Sequence, residues 1–282
     1  MRSRTIKKIY QAKPTLEGAG VHLKRGFGAY EVPAFDPFLL FDDFSSPNAS
    51  DYMPGFPWHP HRGIETVTYI LSGEVEHQDS MGNKGSIKKG DVQWMTAGSG
   101  IIHQEMPQEH KGGIKGFQLW VNLPQAHKMM SPRYQEIAGK TIPSMEKDGV
   151  IVKVIAGKWE GTTGPVSDLM VNPTYLDVAL PKSKKFSYHV RKEYTVLLYV
   201  IEGSIALGDT SAEPVSAGNI ILTENGENIS CTAKNSDSKF LLIAGEPIGE
   251  PIAWYGPIVM NTEDEIKLAL EEYQNGTFVK NS

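Results

Sequence analysis

Apolar residues recur along most of the chain in short alternating or continuous segments that are separated by glycine turns. Examples are "TVTYILSG", "GFQLWVNLP" and "YTVLLYVIEG". These segments are rich in β-branched and aromatic residues and follow one another roughly every ten residues, which is typical of a β-sandwich or barrel rather than of alternating strands and helices. The pattern therefore predicts an all-β protein.

Helical periodicity is clear only near the end of the chain, in "NTEDEIKLALEEYQNG". Thr262 can cap a helix there, and Glu265 three residues later completes a capping box. Ile266 and Leu270 then recur at helical spacing, and Gly276 supplies a stop. We expect one C-terminal helix that packs on the outside of a sheet.

Two halves of the chain resemble each other. "YILSG" ends at Gly73 and "YVIEG" ends at Gly203, an offset of 130 residues (203 − 73). "KKGDVQWMT" resembles "SAGNIILT", with Gly90 opposite Gly218 at an offset of 128 (218 − 90). A repeated all-β unit of this kind predicts two stacked barrels that arose by duplication.

A polar segment with three prolines, "LPQAHKMMSPRYQEIAGKTIPSMEKDG", separates the two halves. We take it as the connector, with one short helical turn. The expected division is residues 1–135 for the first barrel and residues 136–282 for the second barrel together with the C-terminal helix.

Composition and charge exclude several classes of protein. The net charge is −5 and the pI is about 5.9 over 282 residues, so no broad basic surface for nucleic acid is expected. Cys231 is the only cysteine, which excludes an internal disulfide and favours a reducing compartment. The sequence shows neither the pattern of a signal peptide nor an apolar run long enough to span a membrane. We expect a cytoplasmic protein that does not bind membranes or bind nucleic acid directly.

Two pairs of polar residues are candidate metal ligands. His59 and His61 stand two residues apart in "FPWHPHRGIETVTY", and His103 and Glu105 stand two residues apart in "GSGIIHQEMP". Side chains at i and i+2 share one face of a strand, so two such pairs on two strands of one barrel could converge in its interior. Either pair alone is more often a solvated or hydrogen-bonded pair of polar residues than a metal site.

The second half offers an internal comparison with these four residues. The 130-residue offset puts His189 opposite His59 and Arg191 opposite His61, and the 128-residue offset puts Cys231 opposite His103. Glu105 then falls opposite Ala233. We therefore predict a metal site in the first barrel only.

Four segments together resemble the pirin family of the bicupin superfamily: "HPHRGIETVTYILSGEVEHQDSMGN", "GDVQWMTAGSGIIHQEMP", "FQLWVNLP" and "AGEPIGEPIAWYGPIVMNT". The sequence departs from the general cupin pattern at Gly98, where a proline is usual, and Glu65 stands where the first cupin motif has its glutamate ligand. In pirins the carboxylate ligand comes from the second motif. The resemblance therefore implies His59, His61, His103 and Glu105 as ligands.

A set of three imidazoles and one carboxylate suits Fe, Mn, Ni, Co, Cu or Zn, and the resemblance implies non-haem Fe(II). The resemblance to quercetin 2,3-dioxygenases implies a small aromatic chelating substrate and O2. In that interpretation Glu105 is a ligand that also acts as a catalytic base, because it takes the hydroxyl proton of the flavonol. Candidates to line the pocket, each more readily explained as barrel core, are Phe56, Trp58, Trp94, Met95 and Met106.

A second interpretation uses the same four ligands. Eukaryotic pirins are iron-dependent co-regulators of transcription factors, which implies a protein partner and a charged patch beside the metal, with contributions from "MRSRTIKK", Arg62, Lys111 and Lys115. Arg62 and Glu65 could instead orient the imidazoles or form a salt bridge at the strand edge. His77 is expected near a solvated hairpin turn around Gly82 and outside the site.

Overall fold

The structure is a computed structural model that describes residues 2–208 and 213–280. The described residues form two compact units. Of the described residues, the histidine unit comprises 13–34, 38–140 and 248–280, and the apolar unit comprises 2–12, 35–37, 141–208 and 213–247. Strands dominate both units, which confirms the predicted all-β class.

The described helices are α1 (Ala49–Tyr52), α2 (Glu263–Gln274) and two short 3₁₀ helices (Gln125–His127 and Gly139–Thr141). In chain order the described strands are β1 (Ile6–Gln11), β2 (Lys13–Glu17), β3 (Val21–Phe27), β4 (Phe38–Asp43), β5 (Phe56–His61), β6 (Ile64–Ser72), β7 (Glu74–Asp79), β8 (Lys84–Lys88), β9 (Val92–Thr96), β10 (Ile101–Pro107), β11 (Lys115–Asn122), β12 (Arg133–Ile137), β13 (Ser144–Lys147), β14 (Val150–Ala156), β15 (Lys158–Trp159), β16 (Thr162–Thr163), β17 (Thr174–Leu180), β18 (Lys185–His189), β19 (Thr195–Glu202), β20 (Ser204–Leu207), β21 (Val215–Ser216), β22 (Asn219–Thr223), β23 (Asn228–Ala233), β24 (Ser238–Gly245), β25 (Ala253–Tyr255) and β26 (Ile258–Met260).

Each unit contains a seven-stranded and a four-stranded sheet. In the histidine unit the sheet orders are β12-β9-β6-β11-β4-β3-β2 and β5-β10-β7-β8. In the apolar unit they are β1-β22-β19-β24-β17-β14-β13 and β18-β23-β20-β21. The two units therefore have the same arrangement, as the repeated sequence predicts.

The units are not the two continuous segments that we expected. The first strand, β1, pairs with β22 and completes the large sheet of the apolar unit, while β12 takes the equivalent edge in the histidine unit. The C-terminal helix α2 packs on β25 and β26, so residues 248–280 belong to the histidine unit. The predicted division at residues 135 and 136 is corrected at both ends of the chain, because β1 pairs its backbone with β22 and α2 packs its apolar face on β25 and β26.

The C-terminal helix begins as the sequence predicts. Thr262 accepts a hydrogen bond from the backbone of Glu265, whose carboxylate accepts one from the backbone of Thr262, and together they form the capping box. Ile266 and Ala269 are buried against Phe278 and the strands β25 and β26. Of the helices in the described ranges, none is long and apolar enough to cross a membrane.

Candidate metal centre

Three of the four predicted ligands meet between two neighbouring strands. β5 and β10 are antiparallel, and His59 lies directly opposite His103 in their register. His61 lies on the same face as His59, since residues two apart on a strand share a face. One ring nitrogen from each of the three histidines lies within 4.8 Å of the other two. The structure thus assembles His59, His61 and His103 as a cluster.

Backbone carbonyls fix the orientation and tautomer of two of these rings. Nδ1 of His59 lies 2.8 Å from the carbonyl oxygen of Pro57, and Nδ1 of His61 lies 3.1 Å from that of Pro257. A carbonyl oxygen only accepts, so Nδ1 carries the hydrogen in both rings and Nε2 carries a lone pair. The two Nε2 atoms are 3.1 Å apart. Two lone pairs at this distance repel each other unless a cation lies between or beside them.

The third ring strengthens this conclusion. His103 is fully buried, and neither of its ring nitrogens has a hydrogen-bond partner among residues 2–208 and 213–280. A buried polar group without a partner costs roughly 1–3 kcal/mol. Burial lowers the pKa of His103 well below its usual range, and the neighbouring histidines lower it further. Burial likewise lowers the pKa of His61, followed by the charge of His59. His61 and His103 are therefore neutral buried imidazoles, the form in which histidine can bind a metal.

Glu105 lies beside the cluster and is held by a neighbouring hydroxyl. The structure places its Oε1 2.9 Å from Oγ1 of Thr68, which is also 2.7 Å from the side-chain oxygen Oε1 of Gln118. A hydroxyl has one hydrogen to donate, so Thr68 donates to one of these two oxygens at a time. Both contacts are satisfied when the Gln118 amide is turned over, so that its nitrogen donates to Thr68 and Thr68 donates to Glu105. This leaves Oε2 of Glu105 free to bind an ion or to accept a proton. Its role as the fourth ligand stays a prediction.

The cluster opens into a cavity of about 620 Å³. That volume lies in the range of roughly 300–1,000 Å³ of small-molecule sites. His59, His61 and Glu105 line the cavity together with aromatic and apolar residues. Those aromatic residues are Phe44, Phe56, Trp58, Trp120 and Trp254.

Two of the five predicted lining residues, Phe56 and Trp58, do face the cavity. Trp94 and Met95 are fully buried instead, and Met95 packs in a core cluster with Ile64. Met106 lies against Gly55. For Trp94 and Met95 the alternative explanation as core holds, whereas Met106 is only partly buried and lies outside the cavity lining. Strand alternation alone does not tell which buried face borders a cavity.

Residues after the histidine pair are fixed by the end of the chain. Arg62 is buried, donates to the carbonyl of Phe278 at 2.9 Å, and forms an ion pair with Glu272 at 2.6 Å. Arg62 therefore neither orients an imidazole nor contributes to a surface patch, which corrects both expectations. Gly63 follows at φ +78°, where a Cβ would lie 2.0 Å from the carbonyl oxygen of Val259. Only glycine fits at this close approach.

His77 is a residue of this neighbourhood that sequence reasoning placed wrongly. It is 1% exposed, and its ring stacks on Tyr134 and lies 5.3 Å from the ring of His103. Its Nε2 is 3.3 Å from the Asp79 carboxylate. The signal was in the strand itself: Val75, His77 and Asp79 alternate on one face, which the apolar Val75 marks as inward-facing.

The apolar unit shows the same positions without a site. Register places Phe186 opposite Cys231, as His59 lies opposite His103, and Tyr188 takes the place of His61. The equivalents of His59 and His61 are thus Phe186 and Tyr188 rather than His189 and Arg191. Phe186, Cys231 and Ala233 lie in an apolar core cluster. This corrects two positions of the predicted comparison and supports its conclusion that this unit lacks the ligand set.

Comparison with known proteins assigns the family. Residues 20–121 match the family model described as Pirin, and residues 175–279 match the model described as Pirin C-terminal cupin domain. The chain belongs to the pirin family. A pirin-like protein of Caulobacter vibrioides is 44% identical over 280 residues, which cover 99% of this chain and 100% of that protein. Pirin-like protein 2 of Arabidopsis thaliana is 45% identical over 279 residues, which cover 96% of this chain and 84% of that protein.

A solved structure of similar fold adds a functional direction. Quercetin 2,3-dioxygenase from Acinetobacter baumannii matches this pirin with a TM-score of 0.89 and 36% identity, over 98% of this chain and 99% of that chain. The predicted resemblance and the cupin-type fold are therefore confirmed. The donor atoms of this pirin, three imidazole nitrogens without a thiolate, fit a mixed nitrogen and oxygen metal site.

Proposed function

We propose that this pirin is a metal-dependent dioxygenase that acts on a flavonol such as quercetin, or on a related chelating enol or phenol, with Fe(II) as the expected metal. The observation that carries the proposal is the pair of facing Nε2 lone pairs of His59 and His61, beside the unpartnered nitrogens of buried His103, at the wall of a small-molecule cavity. The similar Acinetobacter baumannii protein, named quercetin 2,3-dioxygenase, supports the choice of reaction.

His59, His61, His103 and Glu105 would hold the metal. When bound, the metal supplies Lewis-acid activation of the substrate oxygens and the redox link to O2. A hydroxyl must lose its proton before its oxygen can chelate as an anion, and Glu105 is the carboxylate positioned to accept that proton. The hydrogen bond from Thr68 to Oε1 leaves Oε2 available for it. The carbonyls of Pro57 and Pro257 keep the imidazoles oriented throughout.

Aromatic side chains form the cavity wall next to the histidine cluster. Trp120 and Trp254 stack with centroids 5.9 Å apart, and the ring of His61 meets Trp120 edge to face at 5.1 Å. Aromatic side chains beside the cluster also offer flat surfaces to a flavonol. In such surroundings charge interactions between substrate and Glu105 are stronger than in water.

The test begins with metal-free protein that is reloaded separately with Fe(II), Mn(II), Ni(II), Co(II), Cu(II) or Zn(II). Quercetin is added without oxygen, O2 is then admitted, and quercetin absorbance, O2 consumption and carbon monoxide release are followed. We expect turnover with a redox-active metal, and its loss together with metal binding in His61→Ala. The matched control His110→Ala alters an exposed histidine outside the cluster and should keep both. Tight metal binding without turnover of any flavonol would refute the proposed activity, and full metal occupancy in His61→Ala would refute the site.

A further inference from the structure

A row of polar side chains crosses the inner face of the seven-stranded sheet in the histidine unit. In register, Arg25 on β3 lies opposite Asp42 on β4, Asp42 opposite Gln118 on β11, and Gln118 opposite Thr68 on β6. All four residues line the cavity. We call them the polar row.

The polar row is continuous with the candidate metal centre at one end and with solvent at the other. Thr68 contacts both Glu105 and Gln118. Arg25 donates from Nε and Nη2 to the Asp42 carboxylate at 2.9 and 2.7 Å, and from Nη1 to Glu17 at 2.8 Å. The side chains of Arg25 and Glu17 are 28% and 41% exposed, so this end is the cavity mouth.

The apolar unit shows that the fold does not require polar residues here. The same row in its seven-stranded sheet is defined by the same chain of register pairs. Every member is buried and apolar: Val154, Leu176, Leu242 and Leu198. Buried ion pairs are on average no more stabilising than apolar residues of similar volume. Stability of the sheet therefore does not explain the polar row.

Charge and hydrogen-bonding capacity indicate what the row can bind. Arg25, Asp42 and Glu17 together carry a net charge of −1, which repels anions. Each oxygen of Asp42 accepts one hydrogen bond from Arg25, and a carboxylate has about four acceptor sites, so Asp42 can accept more. Gln118 adds a side-chain amide beside it. The wall therefore suits neutral groups that donate hydrogen bonds.

The distance along the polar row can be compared with the length of a bound flavonol. Neighbouring strands lie about 4.8 Å apart, so Asp42 lies roughly 10 Å from Thr68, two strands away. That distance is comparable with the separation between the chelating end and the far ring of a flavonol. We propose that Gln118 and Asp42 recognise hydroxyl groups on the end of the substrate that lies away from the metal, and that they determine specificity for a neutral, hydroxylated far ring. That the other end of the substrate chelates a metal rests on the proposed function.

The protonation state of Asp42 at neutral pH is consistent with a role as hydrogen-bond acceptor. Burial raises the pKa of Asp42 to about 6, against the lowering effect of its hydrogen bonds and charge interaction with Arg25; Glu17 and Asp43 raise it slightly. The carboxylate is thus ionised at neutral pH and can accept a hydrogen bond there.

The experiment compares two flavonols with the same chelating end. Quercetin carries hydroxyl groups on the far ring and galangin carries none. Equilibrium dissociation constants are measured on the Fe(II)-loaded protein without oxygen, from quenching of the fluorescence of cavity tryptophans, so turnover is not required. The variants are Gln118→Leu and Asp42→Asn. Gln93→Leu is the matched control, because Gln93 lies on the same register row next to Thr68 but outside the cavity lining.

We expect the wild type to bind quercetin about tenfold more tightly than galangin, the effect of one or two hydrogen bonds to a buried acceptor. The preference should fall below about threefold in Gln118→Leu and in Asp42→Asn, with galangin affinity kept, and should persist in Gln93→Leu. Equal weakening of both flavonols in the two row variants, or an unchanged preference, would overturn the proposal. A wild type that binds with this preference but does not consume O2 would refute the proposed function and leave the recognition role supported.

Discussion

His103 offers a test in which one substitution should have opposite effects with and without a metal. Without metal, its two unpartnered ring nitrogens lie in a fully buried site and cost roughly 1–3 kcal/mol. Leucine is apolar and of similar volume, so His103→Leu should remove that cost at little packing expense. We expect the metal-free variant to be more stable than the metal-free wild type by about 1–3 kcal/mol.

Adding metal should reverse this order. A ligand that binds only the folded protein stabilises it by about 4.1 kcal/mol at a concentration 1,000 times its Kd, which exceeds the cost of the unpartnered nitrogens. The wild type should gain that amount, whereas His103→Leu loses one of three clustered imidazoles and should gain little. Zn(II) is the suitable ion, because it binds imidazole and undergoes no redox change.

Urea unfolding followed by tryptophan fluorescence measures both effects. Four of the five tryptophans, Trp58, Trp94, Trp120 and Trp254, belong to the histidine unit, so the signal reports mainly on that unit. His110→Leu, at an exposed position, is the control and should respond to Zn(II) as the wild type does. A metal-free His103→Leu that is less stable than the wild type, combined with an undiminished gain from Zn(II), would refute the reasoning.

Three further substitutions probe the supports of the site. Gly63→Ala should lower the free energy of unfolding by about 2 kcal/mol or more in a urea titration. The added Cβ would lie 2.0 Å from the Val259 carbonyl oxygen, and the backbone there has a positive φ. An unchanged urea midpoint would contradict this close approach. Thr68→Val should lower kcat about threefold to tenfold in steady-state quercetin kinetics, because Glu105 loses its hydrogen bond from the hydroxyl. Thr68→Ser keeps a hydroxyl and should keep kcat near that of the wild type. An equal loss in both variants would argue against a role of the hydroxyl in holding Glu105. Burial raises the pKa of Asp42 from 3.8 to about 6, so the folded protein binds a proton at Asp42 more tightly than the unfolded protein does. Proton binding at Asp42 therefore stabilises the folded state at low pH, and this stabilisation is lost as the pH rises from about 4 through about 6. The stability of Asp42→Asn relative to the wild type should therefore rise with pH by at most about 1.4 kcal/mol per unit, and a flat difference between pH 4 and 6 would contradict it.

Local patterns in the sequence predicted those parts of the structure that depend on local geometry. The capping box of Thr262 and Glu265 and the i, i+2 spacing of His59 and His61 both follow from backbone periodicity within one element. Pairing between distant segments has no such signature. The placement of β1 in the apolar unit therefore could not be predicted from its own six residues.

The comparison between the halves failed at a loop for a specific reason. Register gives an offset of 127 residues for the histidine strand (186 − 59) and 130 for the following strand (199 − 69). The loop that joins these strands is thus three residues longer in the apolar unit (130 − 127). Carrying one offset back across that loop moved the comparison from Phe186 to His189. An insertion between two strands is invisible until the pairing partner of each strand is known.

The two units together separate what the fold needs from what the site needs. Both use the same sheet order, and the apolar unit fills the equivalent interior with Phe186, Cys231 and Ala233. A polar interior costs free energy wherever a donor or acceptor lacks a partner, as at His103. The histidine unit nevertheless holds a partly buried ion pair, a hydroxyl and an amide in one row that leads to Glu105. Because the sheet forms equally with an apolar row, the polar residues are explained by what the cavity binds rather than by folding.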